Sequence, residues 1–227
     1  MKLKVQNIFL RLFIVLFLII AVSCKKKGEN RAEKTDKFRD KDSIILDCNY
    51  TFDEAIAGTR APKHVIDQLE LFTVHYFAFD GEIHRGQLLA NKLIVNDLRE
   101  IFNEILQYRF PIAKAIPIVK YNWNDEASME DNNTYCFCYR NADYSKHALG
   151  LAIDINPMQN PNRWKSEFSF RTDMPEGARY NPNAPGTFTP NHPIVLLFAE
   201  KGFLWGRYFK RNNDDHHFEK KGNNSIN

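Results

Sequence analysis

Cysteine is scarce in this chain, at four of 227 residues, and no apolar run approaches the roughly 20 residues that a membrane-spanning helix needs. If Cys24 is set aside with the N-terminal leader, Cys48, Cys136 and Cys138 remain. An odd count allows at most one internal disulfide, and the sequence does not say whether Cys48 takes part in one. Cys136 and Cys138 form a lone C-x-C, a weak metal signal, and read better as small buried hydrophobes. A Gly-x-Ser-x-Gly elbow is also missing, and nothing specifies an oxyanion hole. There is no internal repeat, which excludes solenoid and propeller architectures. Positive charge is missing where it would matter. The chain totals +3, but residues 1–23 contribute +3 and Lys25–Lys41 contribute +4, leaving −4 for residues 42–227. A net acidic globular part has no electrostatic footprint for nucleic acid.

The leader accounts for the misplaced basicity. Lys2 and Lys4 precede an apolar run from Leu12 to Val22 that ends in small residues before Cys24, the pattern of a secretory signal over residues 1–23. Ala21-Val22-Ser23-Cys24 resembles a bacterial lipobox, which implies cleavage before Cys24 and lipidation of that cysteine. Twelve of the seventeen residues from Lys25 to Lys41 are charged and Phe38 is the only large apolar one. Such a segment cannot bury enough surface to fold, so residues 24–45 are expected to be a lipid-bearing, disordered tether. Residues 46–221 are left as one domain with its own core, followed by a short disordered tail over 222–227.

Within that domain the pattern mixes helices and strands. Leu69–Phe79 and Glu82–Asn91 flank Asp80-Gly81 and predict a β-hairpin. Ile94, Leu98, Ile101, Ile105 and Tyr108 follow helical spacing, with Pro111 beyond the stop. Ala115–Tyr121 reads as a strand. Arg163–Thr189, rich in Pro, Asn and Gly, reads as a long irregular loop that walls a cleft. Pro193–Lys201 reads as a helix that begins at proline and stops at Gly202, after which Phe203-Leu204-Trp205-Gly206 returns the chain.

Two stretches carry chemistry. In Ser145-Lys146-His147-Ala148-Leu149-Gly150-Leu151-Ala152-Ile153-Asp154-Ile155, alternation from Leu151 to Ile155 predicts a strand with Asp154 on its polar face. A straight strand would hold His147 and Asp154 about 23 Å apart and a helix about 10 Å. If the two act together the chain bends between them, and Gly150 tolerates the angles of a bend. The second stretch is Asp214-Asp215-His216-His217-Phe218-Glu219. If His217 opens a strand, Phe218 points into the core and His217 shares a face with Glu219. His147, Asp154 and His217 would then supply three ligands to a tetrahedral zinc with one position open. Asp214 is the candidate general base, with Asp215 and Glu219 in reserve. His75 and His84 in the hairpin are weaker candidate ligands.

The pattern Ser-x-His-x-x-Gly-x-Ala-x-Asp at 145–154, followed by Asp-x-x-His-Phe-Glu at 214–219, resembles the D-alanyl-D-alanine carboxypeptidase family of zinc peptidases, especially its L-alanyl-D-glutamate endopeptidase branch in phage endolysins. The likeness extends from about Phe52 to Glu219. It implies an α+β fold of the hedgehog and D,D-peptidase type, with a small antiparallel sheet carrying the zinc site and helices packed against it. It further implies Zn2+ on His147, Asp154 and His217, with Asp214 as base and Arg140 as the residue that binds substrate or polarises its carbonyl. The substrate implied is the stem peptide of peptidoglycan. Ser145 is then a candidate hydrogen-bond partner of substrate, and Trp205 either lines the cleft or sits in the core. His216 departs from the family pattern, which has an apolar residue or proline there; adjacent strand residues face opposite ways, so His217 is expected to face the metal. With the lipobox, the expectation is a monomeric lipoprotein of the cell envelope, anchored to a membrane and binding no nucleic acid. Two rivals come from other classes. One is a serine or cysteine hydrolase using Ser145 or Cys138 with His147. The other is a lipoprotein that binds peptidoglycan without cutting it, against which the presence of Asp214 argues.

Overall fold

The computed structural model describes residues 44–140 and 145–222. The expected signal, Cys24, most of the tether and residues 223–227 lie outside the described residues. Among those described, no helix is long and apolar enough to cross a membrane.

The fold is mixed α and β, as expected. Strand β1 (Ile45–Leu46) opens it, followed by short helices α1 (Phe52–Ala55) and α2 (Lys63–Ile66). Strands β2 (Leu69–Phe77) and β3 (Ile83–Asn91) form the predicted hairpin, in register from Leu69↔Asn91 to Phe77↔Ile83, and β1 adds in parallel to β3. Helix α3 (Lys92–Gln107) starts where the Asn91 side chain accepts from the Leu93 amide, filling one of the bonds that a helix start leaves open. It buries Ile94, Val95, Leu98, Ile101, Phe102 and Ile105, the stripe at helical spacing that the sequence carries, except that Tyr108 caps the helix end and is exposed. That stripe packs on the hairpin and, with helix α5 (Pro193–Glu200), closes one continuous core.

The remaining strands are short. Strand β4 (Lys114–Ala115) pairs in parallel with β5 (Asn133–Thr134). Here the expected strand over Ala115–Tyr121 is corrected: after two residues the chain turns into a 3-10 helix at Ile118–Tyr121. Pro117 has no amide to give a ladder, and Asn122 takes a left-handed backbone, φ 51°, which ends any extension. Helix α4 (Asp125–Glu130) lies between β4 and β5 in the chain. Strand β6 (Ala152–Asp154) comes next, then β7 (Asn162–Trp164). The expected loop from Arg163 onwards therefore begins in a strand, because β7 pairs with β9 (Asn212–Asp214). The final sheet has the order β6, β10 (His217–Lys220), β8 (Phe203–Trp205), all antiparallel.

The centre of this sheet is held by Phe218, fully buried. Its ring stacks on Phe198 at 4.0 Å and on Trp205 at 5.8 Å. Trp205 is thereby placed in the core, and its indole N–H donates to the Asp215 carbonyl at 2.9 Å. All three described cysteines are free, with Cys136 and Cys138 buried.

A polar network fastens the first strand to the hairpin. Asp47 accepts from the Tyr76 hydroxyl and faces His84 Nδ1 at 2.8 Å, and His84 Nε2 faces Asp80 at 2.9 Å. Burial opposes a charge on His84, but its bonds to Asp47 and Asp80 outweigh this and raise its pKa above the usual histidine value. A raised pKa stabilises the fold fully below the unfolded value of about 6.5, and the stabilisation is lost as pH rises through the folded value. The unfolding free energy should therefore differ more between wild type and His84→Ala at pH 6 than at pH 9. Denaturant titrations at both pH values check this; a gap that stays constant would remove the ion pairs from the account.

Candidate metal and active site

His147 sits in a 3-10 turn, Lys146–Leu149, that ends at Gly150 with φ 66°. The glycine is needed twice, for that angle and for space. A Cβ there would lie 2.8 Å from the Asn91 amide nitrogen and 2.9 Å from Leu69. The turn is docked on the hairpin end, with the Asn91 amide donating to Gly150 O at 2.9 Å and its side chain to Leu149 O at 3.1 Å. Asp154 ends β6 directly opposite His217, the first residue of β10. Bend and register together bring three side chains to one point.

The hydrogen bonds around that point fix which atoms face inward. His147 Nδ1 lies 2.6 Å from the Cys136 carbonyl; a carbonyl only accepts, so Nδ1 carries the proton and Nε2 keeps its lone pair. His217 Nε2 lies 3.2 Å from Glu219 Oε2, which turns Nδ1 inward in the same way. His147 Nε2, His217 Nδ1 and Asp154 Oδ1 then form a triangle with sides of 3.1, 3.1 and 2.9 Å. Ligands about 2.0–2.1 Å from a tetrahedral zinc are roughly 3.3 Å apart, so the donor set fits one ion with little adjustment. Among the described residues these three form the group able to hold a metal, and all are buried.

The electrostatics favour a cation there. Burial alone would raise the Asp154 pKa, but His147 and His216 beside it, with hydrogen bonds from His147 and His217, hold it well below the usual carboxylate range. Burial opposes a charge on His217, yet its bonds to Asp154 and Glu219 push its pKa up to about 10. Carboxylates that favour a proton at this place also favour a metal, which displaces the proton on binding.

Asp214 ends β9 and lines the same cleft, a cavity of about 550 Å³ that also takes in Arg140, Ser145, His216 and Met174. Its Oδ1 is 2.9 Å from His216 Nε2, an ion-pair contact without hydrogen-bond alignment, so this buried oxygen keeps an unfilled acceptor site. Gly206 makes the close approach possible. A Cβ on it would fall 2.8 Å from Asp214 Cβ and 3.1 Å from His217 Cβ.

His216 corrects a detail of the strand argument. It precedes β10 in a turn, so alternation does not apply and its ring enters the site beside His217. Its Nδ1–H donates to Asn160 O at 2.8 Å, and its Nε2 is 3.9 Å from Asp154. Burial opposes its charge, but Asp214 and Asp154 push its pKa up to about 9. Asp215 is fully enclosed between Arg163 and Arg207, which leaves neither oxygen for proton transfer. Arg140 pairs with Asp125 at 3.0 Å, and Asp125 also accepts from Tyr135. Asp125 carries no motif in the sequence. His75 is exposed on β2, and the ring nitrogens of His84 both face carboxylates. The rival hydrolase finds no support, since the ring nitrogens of His147 face Cys136 O, His217 and Asp154. Cys138 is buried, which pushes its thiol up to about 12, far from a reactive thiolate.

Residues 139–220 match the family model described as D-alanyl-D-alanine carboxypeptidase. The match contains both motifs and bears out the resemblance over that segment; the wider likeness from Phe52 is not part of it. No curated protein and no solved structure matches the chain. The matched segment holds all three residues of the candidate metal site, His147, Asp154 and His217.

His217→Ala should abolish metal binding, because it removes one corner of the triangle. His216→Ala should retain near-wild-type metal, since its Nε2 meets Asp214 before Asp154. Metal analysis of both folded variants decides; a reversal would assign the corner to His216.

Proposed function

We propose that the protein is a zinc-dependent peptidase that hydrolyses peptide bonds in the stem peptides of peptidoglycan. The observation that carries this is the convergence of three lone-pair-bearing atoms within 3.1 Å of one another, beside a carboxylate with a free oxygen, inside a segment that matches a peptidase family. His147 Nε2, Asp154 Oδ1 and His217 Nδ1 would hold the zinc. When bound, zinc supplies Lewis-acid polarisation of the scissile carbonyl and makes water a better nucleophile near neutral pH.

The chain's own residues do the rest. Asp214 accepts a proton from the attacking water and delivers it to the leaving amine. The Cys136 carbonyl and Glu219 hold the two imidazoles in the required tautomers, as outer partners of metal-binding histidines do. Arg140, tethered by Asp125 at the cleft wall, holds substrate oxygen, and Ser145 offers a hydroxyl from the same wall. Trp205 has no contact role in this reading, because it is enclosed by the core.

Asp214→Asn separates chemistry from metal binding. It should keep its zinc and lose the general-base contribution, roughly a factor of 100 to 10,000 in kcat. Asp154→Asn should instead lower occupancy at limiting zinc, because a charged ligand has been removed. Zinc content and muropeptide cleavage, measured side by side, test both; full activity in Asp214→Asn would move the base elsewhere.

The proposal includes an envelope location, with the domain tethered to a membrane through lipid on Cys24. Cys24→Ser should then leave the membrane fraction while wild type remains in it. Equal release of both would remove the anchor.

A further inference from the structure

Asp215 is the most completely enclosed carboxylate near the site, and no step above uses it. It is fully buried. Oδ2 accepts from Arg163 Nε at 3.0 Å and Nη2 at 2.6 Å, and Oδ1 accepts from Arg207 Nη1 at 2.7 Å. Its backbone is held as firmly, with the amide donating to Pro161 O at 3.3 Å and the carbonyl accepting from the Trp205 indole. Both guanidiniums pack over Tyr180, at 4.5 and 4.8 Å from the ring centroid.

The three charged residues come from separate parts of the chain. Arg163 lies on β7, Arg207 in the 3-10 turn after β8, and Asp215 immediately after β9. A buried ion cluster is weak as a source of stability, since desolvation costs about what attraction returns. Its strength lies in geometry, because two planar guanidinium groups hold a carboxylate in one orientation. What they orient is the residue next door. Asp214 is paired with Asn162 across β7 and β9, and Asn162 is bridged to Met174 on the cleft wall. We infer that the Arg163–Asp215–Arg207 clamp is the positioning device for Asp214, fixing the proposed base and the cleft wall relative to the metal-binding triad. Asp215 is thus a positioning residue, and the inference rests on the reading of Asp214 as base.

The test uses the full chain loaded with zinc and a stem-peptide substrate, with kcat and KM expressed per bound zinc. Asp215→Asn puts an NH2 group against one guanidinium and Arg163→Gln removes one jaw; each is made alone and in an Asp214→Asn background. Misplacement of a reacting group by about 1 Å costs on the order of 100-fold. Each single variant should therefore lose about 10- to 100-fold in kcat per zinc with KM within about twofold. Neither should lose more in the Asp214→Asn background, since residues acting through one group are not additive. Amide hydrogen exchange should quicken across residues 212–217 and stay as in wild type elsewhere. Arg163 is partly exposed, so Arg163→Gln carries the test if Asp215→Asn does not fold. Equal losses in both backgrounds, unchanged kcat per zinc, or exchange quickened throughout the domain would each overturn the clamp. An inactive Asp214→Asn beside a fully active Asp215→Asn strikes the clamp alone. A fully active Asp214→Asn, or a wild type that cleaves no stem peptide, refutes the underlying reading and the clamp with it.

Discussion

The pairing of β6 with β10 is the constraint on which the site depends. It sets Asp154 opposite His217 and Ile153 opposite Phe218, so one register decides both what is chemical and what is core. Side chains alternate with a period of two, and a slip of one residue would send Phe218 into the cleft and His217 into the apolar interior. The aromatic stack prevents it. Phe218 is held between Phe198 and Trp205, with Phe188 edge-on. Full burial of such a side chain contributes about 1.5–3 kcal/mol, all of which the wrong register would forfeit. The core therefore specifies the geometry of the candidate metal site.

His147 is positioned by different physics, since it lies outside the sheet. Its place depends on the left-handed turn at Gly150 and on a backbone carbonyl, Cys136 O, that receives its Nδ1–H. Cys136 belongs to a stretch whose backbone is itself tied to the site, because Tyr135 and Asp154 exchange amide hydrogen bonds at 3.2 and 3.0 Å. The two histidines thus converge on one oxygen of Asp154, one by a turn and one by a strand.

How much of this can be read from residues alone follows from how local each cause is. The hairpin, helix α3, helix α5, the strand after Gly150 and the strand around Phe218 were legible, because periodicity, caps and turn residues act within a few positions. The triad was legible because its alternation and its glycine sit beside the ligands. The strand over Ala115–Tyr121 was misread because its apolar run continues past Pro117, where the ladder cannot. His216 was misread because the turn before β10 suspends alternation at the position where it was applied. Asp125 next to Arg140, and the two arginines on Asp215, left no local trace. They meet across 15, 52 and 8 residues, and which charge finds which is decided by the packing of whole elements. Trp205 was open between cleft and core until the stack with Phe218 placed it.

Two buried carboxylates, 154 and 215, show why one site suits chemistry and the other scaffolding. Asp215 is surrounded by guanidiniums, whose charge is permanent and whose geometry is fixed. No exchangeable ligand has reason to enter, and the group holds its neighbours still. Asp154 is surrounded by imidazoles, which can give up a proton and offer a lone pair instead. A buried negative charge among neutralisable partners gains most from a cation that several of them can share, which is the condition for binding a metal. The sequence separates them by sixty-one positions, yet the chain neighbours of Asp215, Asp214 and His216, line the same cleft as Asp154, where the rigid cluster can fix the geometry that the exchangeable one requires.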